Sequence, residues 1–179
     1  TLASAYVLLE ILKEKKKKVV FSSKSGLLTV TRNKEQLDMD FPSWKPERTE
    51  AYPAALLTSL GNPEIAGIYQ HREYIVELLD EEAVKNCRPD FSIMKQVDRM
   101  VIITAPGKKV DEDPVTGSAH SQLIPFWAEK LGKKKMQARQ LSARGGDVYC
   151  EQLNKERVIM GGQCVFYMKG RFTTPTPQK

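Results

Sequence analysis

A chain of 179 residues, 41% hydrophobic and 28% charged, has the composition of a globular protein and is long enough to bury about 70% of its unfolded surface around its own core. No apolar run approaches the roughly 20 residues that a membrane helix needs, so a membrane span is excluded. The net charge of +6 would suit a nucleic-acid partner, but the excess lies in two runs, Lys15–Lys18 and Lys133–Lys135, without interleaved aromatics; they are read as solvated turns, and no nucleic acid is expected.

In chain order, Leu2, Ala5, Tyr6, Leu9 and Leu12 recur at steps of three and four, one face of a helix with Thr1 as its N-cap. No basic stretch precedes this apolar segment and no cleavage site follows it, so it reads as helix rather than secretory leader, in a cytoplasmic protein. Strands are predicted at Val19–Ser23, Leu27–Arg32 and Gln36–Phe41, with Gly26 and Asn33-Lys34 marking the turns. Phe41–Pro46 is extended linker, because each proline holds its predecessor out of the helical region.

A helix is then predicted over Pro53–Leu60, closed by Gly61. Paired strands follow at Ile65–Gln70 and Glu73–Leu79, with His71-Arg72 as the hairpin turn. Short helices are expected at Glu81–Asn86 and Phe91–Gln96, and an apolar strand at Arg99–Thr104. Gly117–Leu131 reads as a longer helix with Leu123, Phe126, Trp127 and Leu131 on one face and Gly132 as its stop. Pro125 must kink that helix or lie close to its start. Four strands are expected to finish the fold: Met136–Leu141, Asp147–Gln152, Arg157–Met160 and Gln163–Lys169. The tail 173–179 is read as disordered.

Cys87, Cys150 and Cys164 are widely spaced and odd in number, which suits reduced thiols buried as small hydrophobes. With only His71 and His120 there is no zinc spacing, and no metal is expected. Trp44 and Trp127 are assigned to packing rather than to a ligand platform.

The beginning and end of the chain are alike. Leu12 matches Leu131, Ser22 matches Ser142, Gly26 matches Gly146, and Asn33-Lys34-Glu35 matches Asn154-Lys155-Glu156, at an offset between 119 and 121. Two copies indicate a duplicated α+β unit rather than a solenoid. Two such halves can each present a helix start, with its free N–H groups and positive dipole end, to one anionic ligand such as a carboxylate.

The second of these helices is preceded by Asp111-Glu-Asp-Pro-Val-Thr-Gly-Ser-Ala-His120. Asp113-Pro114 extends or turns the backbone, Thr116, Gly117 and Ser118 sit where caps and exposed amides belong, and Asp113 would stand at the mouth of the amide cradle as a proton acceptor. From spacing alone, a capped helix after a surface Asp-Pro turn is the favoured explanation of the segment. His120 reads either as a relay base or as a packing histidine, and Arg144-Gly145-Gly146 either as an anion contact or as a hairpin turn.

The residues themselves say more. Glu112–His120, Pro125–Gly132, Gln140–Gly146, Gly161-Gly162-Gln163, Val101–Gly107 and Thr1–Ala5 resemble the PhzF (phenazine-biosynthesis-like) family, of the diaminopimelate-epimerase-like fold, across residues 1–172. The resemblance implies an α+β fold of two pseudo-symmetric helix-plus-sheet halves, divided as 1–45 and 46–172. It implies a cofactor-independent isomerase that abstracts and redelivers a proton on a small carboxylate, in a family whose members are often homodimers. Asp113 would be the active-site aspartate; Gly117 and Ser118, with Thr116, would hold the substrate carboxylate, and the Ser118 hydroxyl would assist. Thr1 aligns with His120, so a Gly-His pair of the family would align with Gly117-Ser118. The family's general acid/base glutamate and that Gly-His pair would precede Thr1, and about one family strand is expected to be missing between Gly107 and Val110. The alternative is a catalytically inactive relative that holds a carboxylate ligand or a protein partner in the same cleft.

Overall fold

The structure, a computed structural model, describes residues 1–12, 16–23, 26–107, 117–141, 145–168 and 170, with the backbone alone for Gly117 and Ser118. The first helix, α1 (Leu2–Tyr6), runs directly into a π-helical turn, Val7–Ile11. Strands β1 (Lys18–Ser23), β2 (Gly26–Asn33) and β3 (Gln36–Pro42) follow as antiparallel neighbours. After the linker come β4 (Glu47–Arg48), α2 (Ala55–Ser59), β5 (Ile65–Gln70), β6 (Tyr74–Leu78), α3 (Glu81–Asn86), α4 (Phe91–Met94) and β7 (Val101–Thr104). The last section is α5 (Gly117–Leu131), β8 (Lys135–Gln140), β9 (Gly146–Gln152) and β10 (Arg157–Gly162).

Among the described residues ten strands form two sheets, β1-β2-β3-β10-β9-β8 and β4-β5-β6-β7. The six-stranded sheet is the duplication made visible. Each half contributes a three-stranded meander, and the two join through their third strands. Met39 of β3 pairs with Met160 of β10, Asp40 with Ile159, and Asp38 with Gly161. Because Met39 and Met160 occupy matching places in the two repeats, the register is that of a pseudo-two-fold axis passing between the methionines. The repeat is less even than its sequence suggests. Lys18–Ser23 matches Lys135–Gln140, so the structural mate of Ser22 is Arg139 and not Ser142, which itself lies outside the described residues. The shift arises because residues 24–25 join β1 to β2 while the longer stretch 141–145 joins β8 to β9. At the Asn-Lys-Glu turns, Lys34 takes a left-handed φ of 58° in the first copy, while in the second the Asn154 side chain accepts the Glu156 and Arg157 N–H groups.

Both repeats pack their helix on the same face of this sheet. Ala5 and Leu9 bury against Val30 and Leu37; Ile124 buries against Val148, Cys150, Val158 and Met160; Met39 touches both clusters. The alternation along β3 explains the arrangement: Leu37, Met39 and Phe41 face the helices, while Gln36, Asp38 and Asp40 face away. On that polar face Gln36 donates to Asp38 and Arg157 pairs with Asp40 at 2.7 Å. A methyl group at Gly161 would run into the ends of the Gln36 and Asp38 side chains, which would have to move to admit it.

The four-stranded sheet has its own core on one face, where Tyr74, Val76 and Leu78 of β6 meet Leu56, Leu60 and Ile68. Its other face lies against α5, so α5 is the central helix, with a sheet on either side.

Several expectations are corrected. Residues 163–168 form no strand: β10 runs on to Gly162, whose partner Leu37 stands next to the first residue of β3, so the ladder has no further partner. Val165 and Tyr167 are consequently 90% and 94% exposed. Thr1 makes no side-chain cap; its carbonyl accepts the Ala5 N–H instead. Only Cys150 is buried among the cysteines, and burial pushes its thiol up to about 12. A thiol reagent at pH 8 should therefore label Cys87 and Cys164 well before Cys150 in the folded protein, with all three labelled in denaturant, as read by peptide mass mapping. The segment 173–179 and the chain between Gly107 and Gly117 lie outside the described residues.

Candidate functional site

Helix α5 begins at Gly117 and ends where Gly132 takes a left-handed φ of 61°. No acidic side chain lies in its first turn, so no carboxylate of the helix itself neutralises the positive end of the dipole. Of the residues assigned to the site from the sequence, Asp113 and Thr116 lie outside the described residues. Gly117 and Ser118 open the helix, with only their backbone described. His120 is 5% exposed.

Pro125 stands in the interior of α5, not near its start. A proline cannot donate to the carbonyl four residues back, which leaves the Ser121 carbonyl without its helical partner. The structure resolves this from outside the helix: the Trp44 N–H donates to Ser121 O at 2.8 Å. Trp44 lies in the linker just beyond β3, so the proline joins the early part of α5 to the first repeat. The Trp44 ring is held in turn, stacked on His71 with centroids 6.3 Å apart and covered by the Arg72 guanidinium at 4.6 Å.

A second tie stands one residue on. The fully buried Gln122 donates to the Glu73 carboxylate and accepts the Arg72 N–H at 3.2 Å. Further along the helix the Lys130 ammonium pairs with Glu77, Phe126 meets Tyr69 edge-on at 4.7 Å, and the Trp127 indole N–H donates to Thr104 Oγ1 at 3.0 Å. Burial acts to lower the Lys130 pKa, but hydrogen bonds to Glu77 and Tyr69 outweigh it and the net shift is upward. In the sequence Glu73 and Glu77 fall on a predicted strand, Glu73–Leu79, with no expectation of this layer. The available signal was the alternation of Glu73, Ile75 and Glu77 against Tyr74, Val76 and Leu78, which sets two acids on one face of a buried strand.

The start of the other helix also reaches across. α1 lies over β3, its π-helical continuation lies over the edge strand β1, and the Leu2 side chain approaches Gly162 of β10. α1 therefore begins beside the third strand of the second repeat, and the early part of α5 is tied to the segment leaving the third strand of the first. Among the described residues no group of His, Cys, Asp and Glu side chains could hold a metal ion, and no helix is long and apolar enough to cross a membrane.

A duplicated α+β unit, with two meanders joined in one sheet and a helix of each on the same face, defines a protein of the diaminopimelate-epimerase-like fold. Residues 1–170 match the family described as phenazine biosynthesis-like protein (PhzC-PhzF). An uncharacterized isomerase of Pseudomonas aeruginosa is 41% identical over 96% of this chain and 70% of its own length. The crystal structure of a PhzF-family phenazine biosynthesis protein from Enterococcus faecalis is 37% identical with a TM-score of 0.81, over 90% of this chain and 67% of that one. A PhzC/PhzF protein from Clostridium difficile is 36% identical with a TM-score of 0.85, over 97% and 71%. The chain belongs to the phenazine biosynthesis-like (PhzC/PhzF) family, whose curated bacterial relatives are named isomerases. The alignment with the Pseudomonas isomerase runs over 185 positions, more than the 179 residues of this chain, so that relative carries residues inside the matched span that have no counterpart here.

Proposed function

We propose that this protein is an isomerase that abstracts and redelivers a proton on a small carboxylate, gripping the carboxylate at the start of α5 through Gly117 and Ser118, with Thr116 alongside and Asp113 assisting the proton transfer. One observation supports this most: the early part of each helix lies against the third strand of the other repeat or the segment that leaves it, Leu2 beside Gly162 and Ser121 bonded by Trp44, and a helix start offers unpaired N–H groups and a dipole end that favour a negatively charged group. A carboxylate held there has its charge neutralised in place, which lowers the cost of forming a carbanion-like state at the neighbouring carbon. A carboxylate side chain beside the reacting carbon can then take the proton from one position and return it at another. Proton NMR in D2O tests this with a panel of small carboxylates bearing a C–H next to the carboxylate or to a double bond. The expected result is protein-dependent loss of a C–H signal from at least one member. A panel whose protons all persist beside the folded chain would contradict the reading.

A further inference from the structure

We infer that Pro125, Gln122 and Glu73 are positioning residues for the start of α5. The inference rests on the proposed carboxylate site only for its functional meaning; the mechanical claim stands on the contacts alone. Pro125 releases the Ser121 carbonyl, and the Trp44 N–H takes it at 2.8 Å. Gln122 spends both ends of its amide on the β5–β6 turn, accepting from the Arg72 N–H and donating to Glu73. Arg72 and His71 of the same turn hold the Trp44 ring. The linker, the turn and the helix thus form one closed ring of contacts.

Its members Ser121 and Gln122 lie one turn beyond Gly117 and Ser118, and the helical N–H groups of 121 and 122 bond back to the carbonyls of 117 and 118. Gln122 is fully buried and Glu73 is 6% exposed, so neither bond is replaced by water when it is lost. Clamping residues 121 and 122 from both sides therefore fixes the direction in which the first-turn amides point. Such fixed direction is what a helix start needs if it is to hold one carboxylate in a single pose.

The test is amide hydrogen exchange on the full chain, with succinate as the probe ligand, for Gln122→Glu, for the swap Gln122→Glu with Glu73→Gln, and for Pro125→Ala. Gln122→Glu sets two carboxylates against each other in a buried place. The swap restores the bond between 122 and 73 with donor and acceptor exchanged, and the side chain at 122 still accepts the Arg72 N–H. The single variant should speed exchange of amides 121–123 at least tenfold while β9 and β10 keep their rates, and should weaken succinate at least fivefold. The swap should return both within about twofold of the wild type. Pro125→Ala gives the helix back its own bond, so the Trp44 amide should exchange at least tenfold faster. Unchanged amides 121–123 in Gln122→Glu, a uniform rise across both sheets, or failure of the swap to rescue would overturn the inference, as would an unmoved Trp44 amide in Pro125→Ala. If succinate does not bind even the wild type, the carboxylate site fails while the exchange rates still decide the positioning.

Discussion

Asp113→Ala is expected to abolish turnover, a loss on the order of 10²–10⁴-fold, while leaving thermal unfolding within a few degrees of the wild type. The expectation follows from the segment's chemistry and the helix it precedes. The first turn of α5 carries no acidic residue, and His120 is buried in the helix rather than open to solvent. Of the three carboxylates of this segment, Asp111, Glu112 and Asp113, the resemblance to the family assigns the role to Asp113, four residues before Gly117, with Pro114 restricting its backbone. Removing a surface aspartate that only shaped a turn would cost little activity, so the proton-exchange rate of the variant discriminates directly. Undiminished exchange would remove Asp113 from the mechanism.

Ile124→Ala should be the most damaging single truncation in the central helix, costing about 2–5 kcal/mol by chemical denaturation. Ile124 is 1% exposed and is enclosed by Val148, Cys150, Val158 and Met160. Its neighbours belong to strands fixed in both directions by the register around Met39 and Met160, so the space has little means of collapsing. The mate of Ile124 in the first repeat is Ala5, which is 0% exposed. Ala5→Ile should therefore also destabilise, by about 1–3 kcal/mol, because that half is already filled by Leu9, Val30 and Leu37. Equal tolerance at both positions would mean that the two helices are not packed to different depths. Against a total stability of about 5–15 kcal/mol, the Ile124 variant alone would be readily detected.

Much of the architecture was legible in the sequence because its signals were local. The extent of α5 follows from Gly117, its apolar face and Gly132, and its bounds are those expected. The first three strands were placed by alternation and by Gly26 and Asn33-Lys34. What escaped depends on partners far away in the chain. Gln163–Lys169 has strand-like residues, yet β3 runs out of ladder at Gln36, which local propensity does not reveal. Pro125 looked like an obstacle because its compensation, the Trp44 N–H, comes from another segment. The repeat itself was visible, but its offset in the first strand was hidden by the longer stretch 141–145. Of the proposed site, the start of α5 at Gly117 was readable. The buried polar layer of Glu73, Gln122, Glu77 and Lys130 was not, because it needs the second sheet to lie against α5.

A single anion shared by the two helix starts is tested most directly by titrating succinate into 15N-labelled chain and following the backbone amides of Leu2–Ser4 and Gly117–Ala119. The account predicts that both groups shift along one saturation curve with a common dissociation constant. Shifts confined to one helix, or two unrelated curves, would contradict a shared anion at the pseudo-two-fold axis.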